Sequence, residues 1–207
     1  FLQNGNNAEL HVWTSTGASF EYDGLWNVFN DYSIEKIRGR VVSGNYDGQG
    51  GDDIAVFYDN ANSVQYITSI YVYLSSEHQF IPQEWHRSVN YEANRITDRV
   101  VSGNFKGYGP DDIAVFYDHS NNVQQNVTSI YTYLSIGWTF VCQDWGSLSY
   151  FDAKRITGRV VAGNFDGISG DDIAVFYDHS NNVQQNVTSI YLFLSLSDRF
   201  RYVECHT

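Results

Sequence analysis

Pairs of adjacent aspartates are the residues of this chain whose type could support acid–base chemistry. The pairs are Asp52-Asp53, Asp111-Asp112 and Asp171-Asp172. Two carboxylates share the roles of general acid and general base only when both reach the same substrate bond. Adjacent residues of a β-strand point to opposite faces, so we expect that the two members of a pair do not converge on one bond.

Two histidines, His119 and His179, also recur at equivalent positions. They stand in polar loops beside Ser and Asn, where we expect a solvated side chain. The sequence contains no nucleophile elbow, no HExxH motif and no phosphate-binding loop. Three nearly identical copies of a site suit multivalent binding better than catalysis, because weak repeated contacts gain from avidity. We therefore expect that the protein is not an enzyme.

The aspartate pairs belong to a repeat with a period of about 60 residues. The run DDIAVFYD stands unchanged at residues 52–59, 111–118 and 171–178. Arg159–Ser195 repeats most of Arg99–Ser135 as well. Each unit of such a repeat must bury its apolar faces against its neighbours, so the sequence predicts one continuous array rather than separate domains.

Each complete unit contains four short strand signals that are bounded by turn residues. In the first complete unit they are Arg40–Gly44, Ile54–Tyr58, Ser69–Leu74 and Gln79–Ile81. No segment shows sustained helical periodicity, so we expect no helix longer than about two turns. Four antiparallel strands per unit predict an all-β fold, namely a β-propeller whose blades are four-stranded antiparallel sheets.

The first 38 residues match only the later half of a unit. Glu9–Thr14 aligns with the third strand, and Phe20 stands one period before Phe80. The sequence therefore predicts a single array of three and a half repeats. It covers residues 1–207, with a half blade at 1–38 and blades at 39–98, 99–158 and 159–207.

An array of three and a half blades leaves apolar blade faces uncovered, and exposed faces of that size usually mark an interface. We expect a homo-oligomer, and we favour a two-fold dimer because closed symmetry is the usual solution. Light scattering should then report about twice the 23.6 kDa mass of the chain, or a higher multiple.

The chain is acidic, with 24 Asp and Glu against 12 Lys and Arg and a net charge of −12. Nucleic acids and anionic membrane surfaces require a positive field, so neither is an expected partner. No apolar run is long enough to span a membrane, and we expect no membrane insertion. The glycosylation sequons at Asn126 and Asn186 are a hint of secretion. Cys142 and Cys205 leave two alternatives open, a disulfide or two free thiols.

The units share a sequence pattern that reads RVVSG, a Gly/Asp-rich turn, DDIA-x-FYD, a third strand like LHVW and a Trp-containing link. Over essentially the whole chain this pattern resembles the FG-GAP/VCBS-like repeats of seven-bladed propeller lectins of the Photorhabdus and Psathyrella type. The match is closest at Glu9–Phe20 and Arg40–Asp59. The resemblance implies a propeller fold. It suggests a secreted carbohydrate-binding function less specifically, because one scaffold hosts many binding roles.

The turn before DDIA resembles the calcium loop of FG-GAP repeats, in which oxygen ligands stand at alternate positions. The resemblance implies Asn45, Asp47 and Asp53 as ligands in the first complete unit. Gln49, however, replaces the central carboxylate of that loop.

The other two units depart further from the calcium loop. Lys106 and Tyr108 fall at ligand positions in the second unit, and Ile168 stands at the central position in the third. Calcium is therefore the less favoured alternative. We expect turns that Asn and Asp hold by hydrogen bonds to their own backbone, with no metal ion and no other cofactor.

In the lectins that the chain resembles, the sugar sits in a shallow pocket between blades and against an aromatic ring. A flat apolar ring packs on the C–H face of a sugar, while the sugar hydroxyls need polar partners. The resemblance implies the fourth-strand tryptophans as platforms, namely Trp26, Trp85 and Trp145. The ends of the second strands are secondary candidates, namely Tyr58, Tyr117 and Tyr177 with Asp59, Asp118 and Asp178.

Recurring Trp and Tyr residues are also typical of packing between blades, so two functions remain open. The first is a secreted multivalent lectin whose partners are glycans or glycoproteins. The alternative is a non-catalytic structural or adhesive protein-interaction propeller without sugar sites. Cys205 stands where a fourth platform Trp is expected, so a sugar pocket at that position should be lost or altered.

Overall fold

The chain forms fifteen β-strands and three short 3₁₀ segments in a computed structural model that describes residues 1–121, 125–168, 170–180 and 187–205. The 3₁₀ segments are four residues each, at Ile34–Ile37, Ala93–Ile96 and Ala153–Ile156. They are the longest helical pieces of the described ranges, which confirms the prediction of an all-β fold.

The strands form four antiparallel sheets, and the order of strands within each sheet follows the chain. Sheet 1 has three strands, β1 (Leu2–Asn4), β2 (Asn7–Ser15) and β3 (Phe20–Phe29). Sheet 2 contains β4 (Val41–Gly44), β5 (Asp53–Asp59), β6 (Ile67–Ser76) and β7 (Gln79–Val89). Sheet 3 contains β8 (Val100–Gly103), β9 (Asp112–Asp118), β10 (Val127–Ser135) and β11 (Phe140–Ser149). Sheet 4 contains β12 (Val160–Gly163), β13 (Asp172–Asp178), β14 (Thr188–Ser195) and β15 (Phe200–Cys205).

Strand β1 is an element that the repeat did not predict. It pairs Leu2 with Glu9, as β5 pairs Tyr58 with Ser69 one period later. Sheet 1 therefore contains the end of a second strand as well as the third and fourth strands of its unit. Phe1, just before β1, occupies the place that Phe57 has in sheet 2.

The fourth strands of sheets 1, 2 and 3 are longer than predicted, and each has a β-bulge. In sheet 2, Ile70 pairs with His86 and Tyr71 with Glu84, so that Trp85 is the extra residue. Trp145 and Trp26 are the extra residues at the same place in sheets 3 and 1. A bulge re-aims the side chain of the extra residue. The orientation of these tryptophans thus differs from what simple strand alternation predicts.

Consecutive sheets pack through three apolar clusters, which we call junctions 1, 2 and 3. Junction 1 lies between sheets 1 and 2, junction 2 between sheets 2 and 3, and junction 3 between sheets 3 and 4. Each junction contains an aromatic pair from facing sheets, and their ring centroids are 5.8 Å apart for Phe1–Tyr73 and 5.3 Å apart for Phe57–Tyr133 and Phe116–Phe193. Buried aromatic residues supply most of the apolar area of such a core.

Polar contacts repeat from sheet to sheet along the first strands. Asp111 accepts a hydrogen bond at Oδ2 from the backbone N–H of Asn45 (2.9 Å), and Asp171 does so from Asn104 (2.8 Å). A Cβ atom on Gly44 would lie 3.0 Å from Oδ2 of Asp111, so this close approach favours glycine. The first aspartate of a pair thus binds the preceding unit, and strands β4, β8 and β12 lie side by side.

The structure describes one of the two sequon asparagines and one of the two cysteine side chains. Asn126 is exposed directly before β10, and Cys142 carries a free thiol. Asn186 and the side chain of Cys205 lie outside the described residues. Within those residues, no helix combines the length and the apolar character that crossing a membrane requires.

Candidate functional site

The second aspartate of each pair closes its own acidic turn. Asp53 Oδ2 accepts hydrogen bonds from the backbone N–H groups of Tyr46 (3.0 Å) and Asp47 (3.4 Å), and its Oδ1 accepts one from Ser75 (2.9 Å). Burial raises the pKa of Asp53, and these hydrogen bonds oppose that shift. Asp172 makes the equivalent contacts in the third unit, including one from the N–H of Ser195 at 2.9 Å. In the second and third units, the two aspartates of a pair therefore have separate backbone partners.

The turn of the second unit contains a side-chain cation. Lys106 Nζ contacts Asp112 Oδ1 and donates to the backbone carbonyl of Ser135 at 3.0 Å. The side chains of Lys106 and Asp112 are 8% and 0% exposed. Burial raises the pKa of Asp112, and the Lys106 ammonium opposes the shift. In this unit the ammonium lies against the carboxylate that would ligate a metal ion.

Calcium is expected to be dispensable for the stability of the chain. The described residues contain no group of three or more His, Cys, Asp or Glu side chains that could hold a metal ion. The aspartates that the calcium loop would use are bonded to the backbone, and in the second unit to Lys106. Thermal melts with and without a chelator should superimpose. A fall of many degrees on chelation would contradict this, because a ligand that binds only the folded state raises its stability.

The tryptophans that the resemblance implied as sugar platforms lie inside the junctions. Trp85 and Trp145 are 4% and 3% exposed. Their ring centroids lie 5.2 Å from Phe140 and Phe200 of the next sheet. Each indole N–H donates to a glutamine oxygen on its own strand, at 3.0 Å. These contacts favour the packing alternative that the sequence left open.

Trp26 is half-buried and differs in its surroundings. Its ring lies 5.3 Å from Phe80 and 5.7 Å from the exposed His78, and its indole N–H donates to Asp23 at 3.1 Å. This tryptophan is therefore the one of the three with a partly accessible face.

The secondary candidates lie together with other aromatic residues at the loop end of each junction. In junction 1, Tyr58 lies 4.8 Å from Tyr32 and 6.1 Å from Tyr71, and these residues line a cavity of about 520 Å³ with Asn60. We call this arrangement the junction pocket. Its members come from the end of the second strand, the third strand and the link that leads into the sheet.

The same pocket occurs in junction 3. Tyr177 lies 4.9 Å from Phe151 and 5.5 Å from Tyr191, and the cavity measures about 440 Å³. Tyr150 and Tyr202 form its rim, with 91% and 44% of their surface exposed. Burial raises the pKa of Tyr202 to about 12, so its hydroxyl is a neutral hydrogen-bond donor at physiological pH.

Junction 2 brings the same aromatic residues together. Tyr117 lies 4.6 Å from Tyr91 and 5.8 Å from Tyr131, and it is 7% exposed. The guanidinium of Arg95 lies over the Tyr117 ring, 6.0 Å from its centroid. Arg95 also donates to the backbone carbonyl of Asp118 at 2.7 Å, which holds the loop beside the pocket.

The histidines that we expected to be solvated belong to these pockets. His119 Nε2 lies 3.1 Å from Ser129 Oγ and 3.3 Å from Tyr131 OH. His179 Nε2 makes the equivalent contacts in junction 3, at 3.0 Å to Ser189 Oγ and 3.2 Å to Tyr191 OH. Burial and then the charge of Arg95 lower the pKa of His119, so its imidazole is neutral at pH 7.

The aspartates Asp59, Asp118 and Asp178 shape the loops around the pockets. Each accepts a hydrogen bond from a backbone N–H two residues on, at 2.8 to 2.9 Å. Hydrogen bonds from Ser180, with one from Arg159, lower the pKa of Asp178 to about 2. Burial opposes the shift at Asp118, but hydrogen bonds from Ser120 and the charge of Lys154 outweigh it and lower the pKa. These carboxylates thus stabilise the loops that follow the second strands.

The sequence did not indicate that the third-strand and link residues would join the pockets. The missed residues are Tyr32, Tyr71, Tyr91, Tyr131, Phe151 and Tyr191, together with His119 and His179 as pocket members. The six aromatic residues recur at one period with aromatic character retained, and this recurrence is the signal that could have found them.

The fold and the site define an all-β repeat protein with an aromatic pocket between consecutive sheets. No family model matches the chain, and a search of curated proteins finds no match.

Proposed function

We propose that this chain is a secreted, multivalent carbohydrate-binding protein with a propeller arrangement, and that sugars bind in the junction pockets. The observation that carries the proposal is the recurrence of one aromatic cluster, with a polar side chain at the same place, in all three junctions, together with a cavity beside that cluster in junctions 1 and 3. That polar residue is Asn60, His119 or His179. Packing alone needs aromatic rings, but it does not require a polar side chain among them.

The propeller arrangement has support from the packing of the sheets. Consecutive sheets lie face to face, and their first strands β4, β8 and β12 are neighbours. The radial blades of a propeller likewise place equivalent strands of consecutive sheets next to one another. The likeness of the repeat to lectin propellers is in agreement with this arrangement.

Sugar binding has support from the size and chemistry of the pockets. Their volumes of about 520 and 440 Å³ lie within the range of small-molecule sites. Tyrosine rings offer an apolar surface to the C–H face of a sugar ring. The hydroxyls of Tyr131 and Tyr191 and the imidazoles of His119 and His179 supply directed polar groups. Partners would be glycans or glycoproteins, and an exposed Asn126 is compatible with a secreted chain.

A structural or adhesive module without sugar sites is the second candidate. The burial of Trp85 and Trp145 favours it, because these recurring tryptophans pack between sheets. A glycan array with competition by free monosaccharides separates the two candidates. Binding to the array that a free monosaccharide abolishes supports the lectin. The absence of any glycan-dependent binding supports the structural or adhesive module without sugar sites.

The triple variant Asn60→Ala, His119→Ala, His179→Ala is expected to lose glycan-dependent agglutination. Each change removes one polar group from a pocket, and a hydrogen bond contributes about 1 kcal/mol, or roughly fivefold in affinity per site. The loss compounds over the sites because avidity depends on each of them. Agglutination titres and melting temperatures should be measured together.

His78→Ala is the matched control, because His78 is exposed and lies outside the junction pockets. It should agglutinate like the parent protein. A triple variant that remains folded and still agglutinates at the parent titre would remove the junction pockets from the proposal.

A further inference from the structure

Junctions 2 and 3 share one set of facing contacts, and junction 1 contains the first of them, Phe1 against Tyr73. We call the face of a sheet that packs on the following sheet its later face, and the face that packs on the preceding sheet its earlier face. The later face contributes a phenylalanine of the second strand and an aromatic residue of the turn. Both pack on receiving residues of the earlier face of the next sheet. In junction 2, Phe57 meets Tyr133 at 5.3 Å and Tyr46 meets Phe140 at 5.6 Å. In junction 3 the corresponding pairs are Phe116–Phe193 at 5.3 Å and Phe105–Phe200 at 5.5 Å.

The later face of sheet 4 carries the same two contributing residues, and no other sheet of the described residues covers them. They are Phe176 in β13 and Phe165 after β12, and they are 41% and 48% exposed. Their counterparts Phe57 and Phe105 are both 0% exposed. Val161 on the same sheet is 45% exposed as well. This face therefore presents one half of a junction.

The earlier face of sheet 1 carries the two receiving residues, and no other sheet within the described ranges covers them. Trp13 stands where sheet 2 has Tyr73, and it is 52% exposed while Tyr73 is 2% exposed. Phe20 stands where sheet 2 has Phe80, and it is 74% exposed while Phe80 is 9% exposed. This face presents the other half of a junction.

A serine hydroxyl at the end of the third strand also makes a contact across junctions 2 and 3. Ser135 donates to the backbone carbonyl of Tyr46 at 2.6 Å, and Ser195 donates to that of Phe105 at 2.5 Å. Ser15 stands at this position in sheet 1, and its Oγ accepts the N–H of Gly17 as Ser135 Oγ accepts that of Gly137. Ser15 Oγ thus occupies the place from which Ser135 Oγ donates across junction 2.

We propose that the occupant of both faces is a second copy of this chain, joined head to tail. Phe176 of one protomer packs against Trp13 of the other, Phe165 packs against Phe20, and Ser15 donates to the carbonyl of Phe165. A second copy is the occupant that the molecule itself specifies, because the two uncovered faces are complementary at matched positions of the repeat. Identical faces do not meet in this contact, so it is heterologous, and two copies close it into a ring when the rotation between them allows.

This contact extends the proposed function without depending on it, because it involves none of the junction-pocket residues. It would join the junctions of two chains in one particle. The number of sugar sites per particle would then double, if sugars bind as proposed. Its test requires no sugar and is therefore distinct from the test of glycan binding.

The test is light scattering on the parent chain and on the single variants Trp13→Gln and Phe176→Gln, over a range of concentrations. The parent is expected at twice 23.6 kDa or a higher whole multiple. Each variant is expected at 23.6 kDa, because a head-to-tail contact uses both faces at every joint. Trp138→Gln is the matched control, since Trp138 is 70% exposed on a turn of sheet 3 and should leave the mass unchanged.

Mixing the two variants distinguishes this contact from a symmetric one. The Trp13→Gln chain retains its Phe176 face and the Phe176→Gln chain retains its Trp13 face, so the mixture is expected to regain a pair that neither forms alone. A symmetric contact between two Phe176 faces would leave Trp13→Gln paired and would overturn the proposal. A parent chain that stays at 23.6 kDa at the highest concentration would overturn it too. Circular dichroism of each variant checks that it is folded.

Discussion

Replacing Trp145 with Ala should lower the free energy of unfolding by about 3 to 5 kcal/mol, the usual cost of removing a large aromatic side chain from a core. Trp145 is 3% exposed, and it packs on Phe200 across junction 3. Trp85 has the same place in junction 2, against Phe140, and Trp85→Ala should cost a similar amount. Chemical denaturation followed by fluorescence or circular dichroism measures both.

Trp138→Ala is the control for these variants. Trp138 is 70% exposed, and its replacement should change the free energy of unfolding by no more than about 0.5 kcal/mol. The comparison also tests the role that the lectin resemblance implied. A Trp145→Ala chain that keeps the parent stability but loses glycan binding would restore Trp145 as a sugar platform and would exclude the packing role.

Lys106→Met is expected to be the most damaging single change at a charged residue. It removes the ammonium that contacts Asp112, whose side chain is 0% exposed. Breaking a buried ion pair from one side costs about 3 to 5 kcal/mol, because the remaining charge is left buried without its partner. The two hydrogen bonds from the backbone N–H groups of Lys106 and Ser135 remain, so the turn should stay formed until global unfolding.

The destabilisation by Lys106→Met should depend on pH in a defined direction. Burial raises the pKa of Asp112, and loss of the ammonium removes a group that opposes the shift. A folded-state pKa above the unfolded value means that stability is retained below the unfolded pKa and lost as the pH rises through the folded pKa. The difference between variant and parent should therefore be smaller at about pH 4 than at about pH 7.

Lys154→Met is the matched control for the ion pair. Lys154 is 68% exposed, and its Nζ lies 3.7 Å from Asp118 Oδ2. Asp118 is buried, but it keeps its hydrogen bond from the N–H of Ser120 when the exposed lysine is removed, so we expect a cost between about 0 and 1 kcal/mol. Equal effects of the two lysine variants would mean that the Lys106–Asp112 contact contributes no more than a surface pair, which would contradict the prediction.

The different outcomes for the two sets of candidate site residues have one structural cause. The tryptophans are the extra residues of β-bulges, and the bulges direct them toward the next sheet. The tyrosines at the ends of the second strands instead stand beside the loops that follow these strands, where they contact aromatic residues of the links. Tyr58 and Tyr177 therefore line cavities, whereas Trp85 and Trp145 fill the space between sheets.

The amino-acid sequence by itself determined the period, the all-β class and the strand series of each unit. These follow from local properties: β-branched and aromatic residues in short runs, and Gly, Asn and Asp in turns. It also predicted that the two aspartates of a pair would not converge on one bond, and Asp111 and Asp112 indeed bind different backbone partners. The sequence did not predict the three-residue strand β1, since so short a segment shows no periodicity and is defined only by its pairing with β2.

The tertiary structure alone decided which recurring aromatic residues are buried and which surround a pocket. Trp85 packs against Phe140 of a different sheet, 55 positions later in the chain. The repeat pattern indicates only that both residues recur. The pocket around His119 likewise needs Tyr91, Tyr117 and Tyr131, which come from a link and two strands. Burial depends on the packing of one sheet against the next, and that packing is set by contacts between residues far apart in sequence. A pattern of residue types along one strand does not contain it.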